Sequence, residues 1–464
     1  MDQTSLPPSL PPKPPAPASR DDVEEEAAPP RKRPRTHATT RPAPPPSSMP
    51  SEPALPHADA APPPQSEETP TPSYTPASEQ VHRFPIQPLN RFQGPCASIK
   101  RPREVAHFSY DEKHEYRDDD SSISYYHPPD IGADLKEGFQ DFNHYEDTTD
   151  PHLDSLLRAL MRKEKKDGKK EVVDFVTWRG MMTKIMTAPS DMFAEFSMFA
   201  TSRDGTIYIE EDFPGRAAQR AAEASRPPPR FQSPNQPDHK MMTYWGYKFE
   251  VLSLLPTPPP DTPETIIRNR PKAPVSNHAQ HCSIIRTAFG PHSLLLGGEV
   301  DGLSGPKPPP ESDHPIPWIE LKTAEELPPR PAHRDILKFE RKLLKFWAQS
   351  FLLGVPKVIV GYRSKQGILT GVQQLETGRL PGMVRRGTNC WDGNLCINFA
   401  AAFLAHLKTI VKGDGVYRIE LKKKAGVIEV QEVVRKDCGD IVSKDFTEWR
   451  QELSGKDAQA TEGA

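Results

Sequence analysis

Between His333 and Leu353, apolar residues recur at the spacing of an α-helix. Ile336, Phe339, Leu343, Phe346 and Ser350 trace one stripe, and Trp347 widens it. The opposite arc carries Lys338, Lys342, Lys345 and Gln349, so the segment predicts an amphipathic helix with a basic face. Helical spacing returns around residues 153–160, after Trp178, and over residues 395–411, with Asp392 near the cap position of the last. Ile207-Tyr208-Ile209 predicts a strand, and Val358-Ile359-Val360-Gly361-Tyr362 a buried one. Two further runs, 416–421 and 427–433, flank Lys422 to Gly426 and predict a hairpin.

Three shorter segments read as strands that carry acids: Gly246-Tyr247-Lys248-Phe249-Glu250, Glu299-Val300-Asp301 and Glu320-Leu321-Lys322. Alternate residues of a strand share a face. Glu299 should then lie beside Asp301, and Glu320 beside Lys322, while Phe249, Val251, Val300, Ile319 and Leu321 fill the apolar faces. Carboxylates gathered without histidine offer hard oxygen donors, which suit Mg²⁺ or Mn²⁺. A lysine beside them suits metal-dependent phosphodiester hydrolysis. The Glu-x-Lys letters alone say little, because Glu420-Leu421-Lys422 repeats them in the hairpin with no other acids expected nearby. The competing expectation is a set of cross-strand ion pairs on an exposed sheet face.

Composition changes the picture at the N-terminus. The chain has 464 residues, of which 56 are proline and only 35% hydrophobic, and many of the prolines crowd into the first 80 positions. Such a stretch buries too little apolar surface to offset its chain entropy, so residues 1–80 are expected to be a disordered tail. Within it, Arg31-Lys32-Arg33-Pro34-Arg35 reads as a nuclear import signal. Residues 81–453 are expected to form one large domain, with Pro-rich surface insertions at about 215–239 and 256–279, and residues 454–464 a frayed end. A second basic patch, Lys100-Arg101-Pro102-Arg103, falls in ordered-looking sequence.

The net charge of −3 excludes a bulk polyanion binder, so any nucleic-acid contact must come from a local basic surface. Five scattered cysteines (Cys96, Cys282, Cys390, Cys396, Cys438) without a Cys-x-x-Cys pair argue for a reducing compartment and against a zinc or disulfide framework. No apolar run reaches the roughly 20 residues of a membrane span, and no signal peptide is visible, so a soluble intracellular protein without a membrane partner is expected. Histidine-rich metal motifs, a Gly-x-Ser-x-Gly elbow and a Walker-type phosphate loop do not occur.

Several motifs together carry a resemblance. They are residues 84–92 (Phe-Pro-Ile-Gln-Pro-Leu-Asn-Arg-Phe), Ala97-Ser98-Ile99-Lys100, Tyr125-Tyr126, Gly132-Ala133-Asp134-Leu135, Trp178-Arg179-Gly180, the three acidic segments, and Trp347-Ala348-Gln349-Ser350-Phe351. With them the chain resembles the DXO-like 5′-end decapping nucleases, in particular the fungal nuclear Rai-type members. The resemblance implies a mixed α/β fold, two packed β-sheets flanked by helices with an active-site pocket between them. It implies that Glu250, Glu299, Asp301, Glu320 and the Leu321 carbonyl hold divalent metal, two ions of Mg²⁺ or Mn²⁺. Glu250, Glu299, Asp301, Glu320 and Lys322 would be catalytic, with Lys322 beside the attacking water. Arg179, Glu250, Lys322 and Gln349 would meet substrate. The implied substrate is the 5′ end of RNA bearing a triphosphate, an incompletely methylated cap or an NAD cap. The product, a 5′-monophosphate end, would feed a nuclear 5′→3′ exoribonuclease that the protein also binds and stabilises. Two alternatives stay open, a DNA-cleaving nuclease with a similar metal core and a non-catalytic scaffold for the exoribonuclease.

Overall fold

In a computed structural model of the chain, the structure describes residues 74–462, apart from 226–236, 310–311 and 437–438. The import-type run at residues 31–35 and Cys438 therefore lie outside the described residues. The described strands form one ten-stranded and one six-stranded sheet, with helices flanking both, as a mixed α/β fold requires.

Near the middle of the larger sheet, Phe175–Trp178 runs parallel to His292–Glu299, with Phe175 opposite Leu294 and Trp178 opposite Gly297. Parallel strands end at the same edge of a sheet. At that edge Trp178 leads directly into the helix Arg179–Thr187, and the second strand ends on Glu299. The chain then leaves this sheet through Val300 and Asp301 and enters the smaller one at Gly302–Leu303. There Gly302–Leu303 pairs antiparallel with Trp318–Glu325, whose other neighbour is the parallel strand Lys357–Arg363. A side chain at Gly302 would bring its Cβ to 2.9 Å from the Ser124 carbonyl oxygen, so the crossing needs glycine.

Alternation within the strands divides the core. Leu294 and Leu296 join Trp318, Val358 and Val360, the helices Arg179–Thr187 and His333–Leu353, and the apolar helix Gly393–Ile410 in one cluster. Val176 and Leu295 point the other way, to Leu156, Leu157 and Leu160 of the helix Asp154–Asp167. Ile319, Leu321 and Ile359 cover the far face of the smaller sheet under Tyr244, Trp245 and Phe249.

The helix His333–Leu353 has the expected bounds and stops at Gly354, which takes a left-handed φ of 72°. Asp392 caps Gly393–Ile410 by accepting the Leu395 N–H at 2.9 Å. The hairpin is Val416–Leu421 paired with Val427–Arg435. The basic stripe of the helix His333–Leu353 is divided between two places. Lys338 and Lys342 border a shallow pocket with Glu325, whereas Lys345 and Gln349 line a separate cavity.

Four expectations are corrected. Gly246 to Glu250 is not a strand; it belongs to the helix His239–Ser253, capped by the Asp238 carboxylate on the Met241 N–H at 2.6 Å. Five residues are too few to separate a period of two from one of 3.6. The longer run decides it, with Tyr244, Trp245, Phe249 and Leu252 buried at helical intervals. Lys248, expected on a polar face, is buried and donates to the Pro271 carbonyl at 2.6 Å. Glu299 and Asp301 are not strand neighbours either, since Asp301 lies beyond the strand end.

The expected tail is too long. Tyr74–Pro85 is a strand on the outer edge of Val427–Arg435, where unpaired backbone groups offer a ladder that local composition does not reveal. At the other end, the helix Lys444–Glu462 continues through the expected frayed residues. It is anchored by Trp449 and Arg450, which donate to the fully buried Glu164 carboxylate at 3.0 and 2.6 Å. Of the Pro-rich stretches, 256–279 contains the short helix Glu264–Asn269. It is tied inward by Arg270, whose guanidinium donates to the His127 and Leu252 carbonyls. The other opens with the helix Phe213–Ala224. No helix among the described residues is long and apolar enough to cross a membrane.

Candidate active site

The acids of three separate elements meet where the chain crosses between the sheets. Glu299 ends the strand of the larger sheet, Asp301 follows on the crossing, Glu320 and Lys322 share one face of Trp318–Glu325, and Glu250 comes from the last turn of His239–Ser253. Asp301 is held against the smaller sheet, its Oδ2 accepting the Leu321 N–H at 2.5 Å. Glu320 is buried at 1% exposure and gripped from both sides, with Lys322 Nζ 2.6 Å from Oε1 and Arg179 Nη1 3.1 Å from Oε2.

Arg179 reaches Glu320 because it begins its helix at the parallel edge. Gly298 opposite has no side chain, and a Cβ there would come 3.0 Å from Arg179 Cβ and 2.9 Å from Leu353 Cδ1. The Gly-Gly-Glu run at 297–299 therefore carries a packing requirement that strand periodicity does not show. Tyr247, one helical turn before Glu250, and Cys282, opposite Glu299 in the sheet, also border the carboxylates. Burial raises both of these groups, with Glu250 adding to the effect on Tyr247 and Glu299 to that on Cys282.

The electrostatics follow from four carboxylates facing two cations. Burial, then the charge of Asp301, pushes the Glu299 carboxyl up to about 7. Burial, then Glu320, pushes Asp301 up to about 6. Glu250 is raised well above the usual carboxylate range by burial and by Asp301 and Glu299. Burial opposes ionisation of Glu320 as well, but Lys322 and Arg179 outweigh it and hold that carboxyl below its ordinary value. Lys322 stays charged for the same reason, with Glu320 and Asp301 outweighing its own desolvation. A donor set of hard oxygens with surplus negative charge fits a divalent cation.

A model of the family described as RAI1 like PD-(D/E)XK nuclease matches residues 100–447. The chain belongs to this family. It is a nuclease and hence a hydrolase. Asp301 and Glu320-Leu321-Lys322 carry letters of the family name, and Glu420-Leu421-Lys422 repeats the Glu-x-Lys part. The Decapping nuclease RAI1 of Aspergillus fumigatus is 46% identical over 368 residues, covering 79% of this chain and 98% of that protein. The Decapping and exoribonuclease protein of Xenopus laevis is 32% identical over 344 residues, covering 70% and 79% respectively. The crystal structure of Candida albicans Rai1 in complex with pU5 and Mn²⁺ matches with a TM-score of 0.72 at 27% identity, covering 81% of this chain and all of that one.

Gln349 of this Rai1-like nuclease lies on the helix His333–Leu353. It shares a cavity of about 870 Å³ with Gly180 of the Arg179 helix, Lys345 and Lys422. The repeated letters at Glu420-Leu421-Lys422 sit on the larger sheet and border the same cavity. Acids do gather there, contrary to expectation, since Arg418 binds Glu420 at 2.7 Å and approaches Asp212 to 3.8 Å. The guanidinium stands between them, and Lys422 Nζ lies 3.6 Å from Glu420 as well.

Elsewhere, Asp150, His152 and Glu210 bring ligand-type atoms within 4.8 Å of one another. That group was not visible in the sequence beyond the Asp-x-His spacing. Its charge is answered by protein, with His152 Nδ1 3.0 Å and Arg435 Nη1 2.7 Å from the Glu210 carboxylate.

Proposed function

We propose that the chain is a divalent-metal-dependent RNA 5′-end hydrolase of cap quality control. In this reading it removes pyrophosphate from 5′-triphosphate RNA, incompletely methylated caps and NAD caps. It leaves a 5′-monophosphate for a nuclear 5′→3′ exoribonuclease that it also binds and stabilises, and it works in the nucleus. The observation that carries the reading is Glu320 held between Lys322 and Arg179, with Asp301, Glu299 and Glu250 around it, in a chain 46% identical to a decapping nuclease. The structure of a relative with an RNA-like pentanucleotide and Mn²⁺ supports both the ligand class and the metal class.

Glu250, Glu299, Asp301 and Glu320, with the Leu321 carbonyl, would hold the metal, Mg²⁺ or Mn²⁺ and two ions in this reading. When bound, such ions lower the pKa of a water and offset charge on phosphoryl oxygens. The protein's own residues do the rest. Glu320 holds the Lys322 ammonium 2.6 Å away, and in this reading its point charge would stand beside the attacking water and the developing oxyanion. Arg179 offers a planar fork, of which one nitrogen already lies on Glu320, leaving the other donors for a substrate phosphate. Gln349 would bind sugar or phosphate next to Gly180. A panel of 5′-end-labelled RNAs carrying triphosphate, unmethylated cap or NAD, run with and without Mn²⁺ and Mg²⁺, tests the proposal. Release of the expected 5′ group only with metal is the expected result. Cleavage of duplex DNA with no action on any RNA 5′ end would overturn it.

A further inference from the structure

The basic run Lys100-Arg101-Pro102-Arg103 has no part in the site above. It lies on the strand Ile99–Tyr110, whose pairing with Gln280–Phe289 slips between Lys100 and Arg103. A slip of this kind bends a strand and re-aims its side chains. Here it turns Arg101 and Arg103 toward a cavity of about 740 Å³. The helix Asp154–Asp167 lines the same cavity with Arg162, Lys163 and Lys166, and Lys307 approaches from the segment before Trp318–Glu325.

Six cations thus face three carboxylates (Glu104, Asp167, Asp313) among the described lining residues, an excess of three positive charges in a chain whose net charge is −3. Four of the six are already placed. Lys307 pairs with Glu104 at 2.8 Å, Arg103 with Asp313 at 2.8 Å, Lys163 with Asp167 and with Glu171 at 3.0 Å, and Arg162 approaches Asp118 to 3.7 Å, the last two partners lying outside the cavity lining. Arg101 and Lys166 are exposed and hold no ion pair among the described residues.

The cavity wall includes Trp318, which is only 2% exposed, and its indole N–H has no hydrogen-bond partner. A buried donor without an acceptor is costly, and an acceptor entering the cavity would remove the cost. Lys307 stands 5.4 Å from the same ring, so the acceptor it favours is an anion. Trp318 also shares its strand face with Glu320 and Lys322, which puts the cavity on the strand that carries the reaction centre.

We infer that this cavity binds phosphate groups of the RNA body downstream of the 5′ end, a second contact that lengthens the grip on substrate without entering the reaction. The inference rests on RNA being the substrate, as proposed above. An acidic peptide would meet the same cations. Regularly spaced phosphates suit cations on three elements better, and an RNA already held on Trp318–Glu325 is close at hand.

The test uses the full chain and the double variant Arg101→Glu/Lys166→Glu, which leaves every ion pair named above intact. Binding of fluorescent 5′-monophosphate oligouridylates of 3 and 20 nucleotides is measured in EDTA, where metal-dependent turnover is silent. The 20-mer should lose about tenfold in affinity, and its slope of log affinity against log salt should fall by about 1.4, at roughly 0.7 for each phosphate no longer neutralised. The 3-mer should bind as before, and metal-dependent turnover of a triphosphorylated dinucleotide should be unchanged. Equal losses for both lengths, or no loss for either, would overturn the inference. So would displacement of the 20-mer by oligoglutamate at matched charge, which would assign the cavity to an acidic peptide. If the double variant melts early, Arg101→Gln/Lys166→Gln gives the same comparison with a smaller expected loss. Failure of the reaction proposed above would be seen separately, as no hydrolysis of any RNA 5′ end with length-dependent binding intact.

Discussion

Glu299→Gln separates the cost of assembling the carboxylates from the benefit they confer. Glu299 has its carboxyl pushed up to about 7 from an ordinary 4.5, by burial and by Asp301. A carboxyl raised on folding contributes stability that is fully present below its unfolded value and lost as pH rises through its folded value. The metal-free protein should therefore lose stability between about pH 4.5 and 7 on account of Glu299, and between about 3.8 and 6 on account of Asp301. At about 1.4 kcal/mol per tenfold in the ionisation constant, Glu299 alone reaches roughly 3 kcal/mol. Local rearrangement and solvent access should reduce that to about 1–2 kcal/mol. Glutamine keeps the shape and removes the charge. Without metal at pH 8, Glu299→Gln should melt roughly 1–3 °C above wild type, and at pH 4 the two should coincide. With Mn²⁺ the order should reverse. Wild type should gain about 2.7 kcal/mol at a hundredfold excess over its dissociation constant, and the variant much less. Thermal melts in EDTA and in Mn²⁺ at both pH values decide the matter. A variant that is less stable than wild type in EDTA at pH 8, or that responds to Mn²⁺ as strongly, would refute the electrostatic account of the site.

Other outcomes follow from the site and from the fold around it. Lys322→Ala should lower turnover more than RNA affinity. Arg179→Ala should lose ten- to a hundredfold in RNA affinity, the equivalent of about 1.5–3 kcal/mol for one charged contact, while still binding Mn²⁺; calorimetry with Mn²⁺ and a non-hydrolysable 5′ end checks both. Gly298→Ala should displace Arg179 and Leu353 and cost activity without touching any carboxylate, so kinetics of this variant beside its Mn²⁺ affinity distinguish positioning from ligation. Removing residues 1–73 should leave hydrolysis intact and reduce nuclear accumulation. Extending the deletion through Pro85 should destabilise the domain, because Tyr74–Pro85 pairs with Val427–Arg435; chemical denaturation of the two truncations compares them.

What the sequence reveals depends on the range over which a signal acts. The helix His333–Leu353 and the Asp392 cap are local, since apolar spacing and a capping carboxylate need only neighbouring residues, and both stand where expected. Glu320 and Lys322 are equally local, two positions apart on one strand. The segment ending in Glu250 misleads for the same reason, because over five residues alternation imitates a strand, and only Tyr244, Trp245 and Leu252 together disclose the helix. Tyr74–Pro85 is set by a partner more than three hundred positions away, which no window along the chain contains.

Gly298 shows the limit most clearly. Nothing in its neighbours marks it as other than a loose strand position, yet a Cβ there would come 3.0 Å from the Cβ of Arg179, the residue whose guanidinium reaches Glu320. The parallel pairing of Phe175–Trp178 with His292–Glu299 creates that close approach by bringing the two strand ends to one edge. One chain crossing then carries the acids from Glu299 to Asp301, between the sheets. Each acid raises the cost of ionising the next, as at Glu299 and Asp301, and only at Glu320 do Lys322 and Arg179 outweigh that cost. Packing alone would disfavour such an arrangement, because neutral side chains would fill the same space at less expense. Its surplus charge is explained by a cation that enters from outside, and the pH dependence of the metal-free protein measures how much of that charge the fold carries by itself.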